Sequence, residues 1–133
     1  MTEPASRDEI YDRGLAMRKA VVGEERVQAS LERADALSRP LQEAVTRFAF
    51  GEIWSRPDLD ARTRSAVTIG ILIALRAKEE LKVHVAGGIR NGLTATEVRE
   101  LVLHAAVYAG FPAALGAMDM AREALQELGL DCK

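Results

Sequence analysis

The 133-residue chain holds one cysteine, Cys132, at the penultimate position. A lone thiol forms no intramolecular disulfide, no CxxC redox pair and no cysteine-rich zinc site. Histidine is nearly as scarce, with only His84 and His104. Neither belongs to an HExxH or ExxH pair, so no metal is expected. Long apolar runs are missing too. The longest, Ala66 to Leu75, is far too short to span a bilayer. The opening "MTEPASRDEIYDRG" has no apolar signal-peptide core, so the expected location is cytoplasmic, with no membrane partner. A net charge of −2 and a pI near 5.7 leave no electrostatic footprint for nucleic acid. No glycine-rich phosphate loop, nucleophile elbow or catalytic triad appears.

What is present is globular: 48% of residues are hydrophobic and 29% charged. The length suits one domain, residues 1–133, burying roughly two-thirds of its unfolded surface. Its periodicity is helical almost throughout and no stretch alternates as a strand. The expectation is therefore an all-α single domain of about six helices.

Ser6-Arg7-Asp8-Glu9 reads as a capping box opening a helix that ends near Gly23. A second runs from Glu24 to about Ala36. Pro40 suits the first turn of a third, through Phe50, whose apolar stripe is Leu41, Ala44, Val45 and Phe48. "WSRPDLD" then breaks the pattern, because Pro57 disfavours a helical Arg56 and Asp60 can cap the next helix. From Ala61 to Arg76 the chain is polar for one turn, then apolar nearly all round. Such a helix is buried in a core or between subunits. Next comes "VHVAGGIRNG", then a capping box, Thr94-Ala95-Thr96-Glu97, whose helix reaches about Ala109. Gly110 stops it, and Pro112 begins a last helix to about Leu128.

Three places hold chemistry-bearing residues. Glu80 and His84 stand four apart on one helix face, with Gly87 and Gly88 one turn on. Two adjacent glycines in a helix cost about 1 kcal/mol each relative to alanine. They make room for a ligand beside the imidazole, or for another helix. Glu100, His104 and Tyr108 form a second i,i+4 row: either a proton-handling set or a solvated face. The third cluster is "GEIWSRPDLDARTRS". Arg62 and Arg64 sit at a helix start that favours anions, preceded by Glu52 and Trp54.

Together "GEIWSRPDLDARTRSAVTIGILIAL", "ELKVHVAGGIRNGLTATEVRELVLHAAVYAG" and "FPAALGAMDMAREAL" resemble the carboxymuconolactone decarboxylase family over about Leu41 to Leu125. The patterns WxRPxLDxRTRS, HVxxxxxNGLT and YAGxPAA carry the likeness. It implies the alkylhydroperoxidase D-like helical fold, here a core of residues 36–128 behind N-terminal helices of residues 1–35. It also implies a homo-oligomeric ring, commonly a hexamer, with a trimer as the smaller form. The peroxidase relatives carry a CxxC followed four residues later by histidine. With His84 in that histidine's place, the two cysteine positions are Ala77 and Glu80, so the thiol peroxidase reading fails.

The implied reaction is cofactor-free decarboxylation of a carboxylated lactone, 4-carboxymuconolactone, to its enol-lactone. In the roles the resemblance suggests, His84 donates to the developing oxyanion or delivers the proton. Arg64 and Arg62 orient carboxylates, and Glu52 or Glu80 sets the imidazole's protonation. Trp54 and Tyr108 form an apolar wall, and His104 is a further catalytic candidate. A relative acting on another lactone or β-keto-type acid, and a non-catalytic oligomeric binding module, are the competing expectations.

Overall fold

A computed structural model describes residues 7–130. The Ser6 end of the first capping box and Cys132 lie outside those residues. Among the described residues there are α-helices and one π-helical stretch, and no strand. In order they are α1 (Arg7–Val22), α2 (Glu24–Glu32), α3 (Arg39–Ala44), the π-helix (Val45–Trp54), α4 (Ala61–Leu75), α5 (Lys78–Arg90), α6 (Ala95–Ala109) and α7 (Phe111–Glu127). The all-α expectation holds. The described residues hold seven α-helices, close to the six expected, and α3 continues as a π-helix through Trp54 rather than ending at Phe50. The chain forms two compact units, the first ending at Leu59 and the second starting at Asp60.

In the first unit α1 packs against the π-helix. The predicted stripe on α3 is not a buried one: Leu41 and Phe48 are 67% and 60% exposed. A π-helix turns once in more residues than an α-helix, so the 3.6-residue register lapses from Val45 on, which displaces Phe48; Leu41 is exposed on the α-helical part itself. Thr46, Phe50 and Gly51 are buried instead. Glycine is required where the two helices cross. A Cβ on Gly14 would overlap the Thr46 carbonyl oxygen, and one on Gly51 would come 2.6 Å from the Ile10 carbonyl oxygen.

The second unit is a four-helix assembly in which α5 packs on α4 and α7, and α6 on α7 and α4. Its core joins Ile69 and Ile73 of α4, Leu81 and Val85 of α5, and Val98 and Val102 of α6. Each such side chain contributes about 1.5–3 kcal/mol when fully removed from water. On α7 the core face is a row of alanines, Ala113, Ala117, Ala121 and Ala124, so its neighbours approach its backbone closely.

Helix ends agree with the sequence signals. Asp60 caps α4 by accepting from the Thr63 N–H at 2.7 Å. Thr94 and Glu97 complete the capping box of α6 in both directions. Helix α4 is apolar around most of its circumference but only half covered. Ser65, Ile69 and Ile73 are buried, whereas Val67, Ile71 and Leu75 are 52%, 53% and 69% exposed.

Candidate active site

His84 lies mid-way along α5 between two other buried residues, Val83 and Val85. Three consecutive buried positions point in three directions on a helix, so α5 is enclosed over most of its surface. The imidazole Nε2 stands 4.0 Å from Oε2 of Glu80, one turn earlier, and that carboxylate is largely in water. Two influences act on the ring. Burial, the stronger, disfavours the cation and lowers its pKa below the ordinary 6.5, while the Glu80 charge pulls it back up. The result is an imidazole mainly neutral near pH 7, able to donate one N–H and accept at the other nitrogen.

That balance predicts a pH dependence of stability. A histidine with a depressed folded pKa binds its proton more readily in the unfolded chain. Its stabilising contribution is present above 6.5 and is lost as pH falls through the lower folded value. Thermal melts of wild type and His84→Gln across that range should show a steeper acid-side fall in wild type. Parallel profiles would remove the buried neutral imidazole from the account.

Gly88, one turn on from His84, has a packing explanation. A Cβ at Gly88 would lie 2.8 Å from Cδ1 of Leu93 and 3.3 Å from Cδ1 of Ile69. Of the two expectations, room for a ligand or for another helix, close packing holds at Gly88, where the unit's own core takes the space. Leu93 reaches it because α5 ends at Arg90 with Asn91 as its cap, and Gly92 adopts φ +107°. The Leu93 N–H then returns to the Gly88 carbonyl at 2.9 Å.

The start of α4 is fastened to this corner. Asn91 Nδ2 donates to the buried Ser65 hydroxyl at 2.9 Å. Arg62 donates to the Gly92 carbonyl at 3.4 Å and forms an ion pair with Glu97. The Glu97 carboxylate also accepts from the Thr94 N–H at 3.0 Å. Arg62, expected to hold a substrate carboxylate, therefore holds a protein carboxylate. The Ser65–Asn91 link had one sequence hint, a serine in the polar first turn of an otherwise apolar helix. Arg64 is half-buried on the same turn, and its helix packs on the one carrying His84.

The α6 row is only partly joined. His104 and Tyr108 are exposed with ring centroids 5.4 Å apart, while Glu100 pairs with Arg99 at 3.1 Å instead of with His104. Glu52 and Trp54 belong to the first unit, on the π-helix. Glu52 is exposed, and Trp54 stacks on Phe50 with centroids 5.8 Å apart and 18° between planes.

Residues 39–123, from the start of α3 into the last turns of α7, match the sequence model of the carboxymuconolactone decarboxylase family. The chain belongs to that family. Every candidate residue named above lies within the matched span. This family member is 44% identical over 123 residues to the 4-carboxymuconolactone decarboxylase of Acinetobacter baylyi, covering 92% of each chain. It is 41% identical over 132 residues to the nitrosuccinic acid decarboxylase of Metarhizium robertsii, covering 96% of this chain and 92% of that one. No helix of the family member, among its described residues, is long and apolar enough to cross a membrane.

Proposed function

We propose that the chain is a carboxy-lyase converting 4-carboxymuconolactone to 3-oxoadipate enol-lactone, in the cytoplasmic breakdown of protocatechuate. The observation that carries this reading is the 44% identity to a 4-carboxymuconolactone decarboxylase over nearly the whole of both chains. The enclosed, neutral His84 supports it chemically. In this substrate the departing carboxylate sits γ to the lactone carbonyl across a conjugated double bond. Breaking the carbon–carboxylate bond releases carbon dioxide and sends its electron pair through the double bond to the carbonyl oxygen. Protonation at the α-carbon then gives the enol-lactone. The substrate is its own electron sink, so the reaction asks the protein for cationic holds, an oxyanion donor and a proton. His84 supplies the donor or the proton, with Glu80 beside it. Arg64 is favoured over Arg62 for holding a carboxylate, since Arg62 is engaged with Glu97. Glu52, Trp54, His104 and Tyr108 remain candidates for the surroundings of the site.

The active form is a homo-oligomeric ring, a hexamer in the preferred reading and a trimer otherwise. Apolar residues one turn apart on outer faces support self-association: Val67, Ile71 and Leu75 on α4, and Phe111 and Leu115 on α7.

A second reading has its own support in the 41% identity to a nitrosuccinic acid decarboxylase. That acid contains no lactone, so the scaffold is compatible with another electron-withdrawing group receiving the pair. Carbon dioxide release from freshly prepared 4-carboxymuconolactone and from nitrosuccinic acid, measured with chelator present, separates the readings. Saturating release from the lactone, well above background and above the nitro acid, is expected. The reverse order would transfer the assignment, and binding without turnover of either would favour a non-catalytic module.

A further inference from the structure

Between the α4–α5 turn and the start of α7 lies an open cavity that the decarboxylation reading does not use. Its volume is about 90 Å³, room for roughly three waters or the body of a short-chain acid. Leu72, Leu81, Ala113 and Ala117 give it an apolar floor. Arg76 and Lys78 are its charged lining residues, and no carboxylate lines it. Neither cation takes part in an ion pair among the described residues. On α5 the lining residues are Lys78 and Leu81, and His84 is not among them.

Two local features place the cations there. Arg76 ends α4 in the left-handed region, φ 56° and ψ 35°, and is the one described non-glycine residue with positive φ. Glycine is the usual residue at such a helix end, because a Cβ is strained there. An arginine kept in this conformation is the kind of backbone outlier that accompanies binding sites. Lys78 lies against Gly116 of α7. A Cβ at Gly116 would touch Cε of Lys78 at 3.5 Å and Nζ at 3.9 Å, so the lysine stem lies along the glycine with its ammonium at the cavity.

We infer that this cavity binds a small aliphatic carboxylate, with Arg76 and Lys78 holding the carboxylate and the Leu72–Ala117 floor taking the alkyl chain. A bare inorganic anion leaves the floor uncovered, and a neutral molecule leaves the two cations unmatched. Both cations are exposed and screened by solvent, so binding should weaken as salt rises.

The test monitors the alanine methyl signals of Ala113 and Ala117 in ¹³C-methyl-labelled protein during titration with propionate, propionamide and inorganic phosphate. Saturable shifts with propionate are expected, at least about tenfold weaker with propionamide, and weaker with phosphate. Lys78→Gln and Arg76→Gly should each weaken propionate binding at least about fivefold. Arg76→Gly also guards against misfolding as an explanation, since relieving the left-handed strain should leave the melting temperature unchanged or higher. No saturable shift, equal binding of propionamide, tighter binding of phosphate, or full affinity in both variants would overturn the assignment.

Discussion

His84→Ala is expected to lower kcat for carbon dioxide release by about 10²–10⁴-fold while far-UV circular dichroism stays that of the folded chain. The size reflects the role. A positioned proton donor or oxyanion donor acts mainly on the transition state, so its loss appears in kcat more than in KM. Folding should survive because no charged partner is stranded. Glu80 is 67% exposed and keeps its hydration when the imidazole is gone. A void is left where the ring was buried, which costs stability without abolishing the fold. His84→Gln separates the two roles. A side-chain amide donates a hydrogen bond but transfers no proton at neutral pH, so partial rescue by glutamine points to oxyanion stabilisation and none to proton delivery. Turnover of the alanine variant within a few-fold of wild type would remove His84 from the mechanism.

The helices are readable because their signals are local. Asp60, the Thr94–Glu97 box and Gly110 each act within a few residues, and each ends or begins a helix where expected. The i,i+4 pairing of Glu80 with His84 is readable for the same reason. What escapes depends on distant partners. At Gly88 the sequence leaves a ligand and a neighbouring helix equally open, and it is Leu93 and Ile69 of α4 that fill the space. Arg62 reads as an anion hold, but Glu97, thirty-five positions away, occupies it. The π-helix escapes for a second reason. Pattern reading assumes one turn length, and from Val45 to Trp54 the turn widens, so a stripe drawn at helical spacing places Phe48 inside when it is 60% exposed. Glu52 and Trp54 are carried on that widened turn, which is why helical spacing could not say what they face.

The widened helix also gives the largest expected loss of stability. Gly14→Ala should weaken the first unit by about 3 kcal/mol, the upper end for inserting one methyl into a filled site. The methyl would overlap the Thr46 carbonyl oxygen and lie 2.8 Å from the Gly51 nitrogen. These are backbone atoms of the π-helix and cannot rotate aside as a side chain does. Nor can α1 easily lift away. Arg13 Nε donates to the Gly51 carbonyl at 2.9 Å, and the buried Arg18 donates to Thr46 Oγ1 at 3.1 Å and Gln42 Oε1 at 2.8 Å. Separating the helices by the width of a methyl lengthens all three bonds and leaves a guanidinium half-desolvated without its partners. The measurement is direct because Trp54 is the chain's one tryptophan, stacked on Phe50 at the end of the affected helix. Its fluorescence reports on the first unit, and circular dichroism on both. In urea the fluorescence midpoint should fall by about 1 M or more, given slopes of about 1–3 kcal/mol/M. An unchanged midpoint would mean that α1 and the π-helix do not cross at Gly14. A lowered midpoint would make this crossing the support on which Glu52 and Trp54 are held.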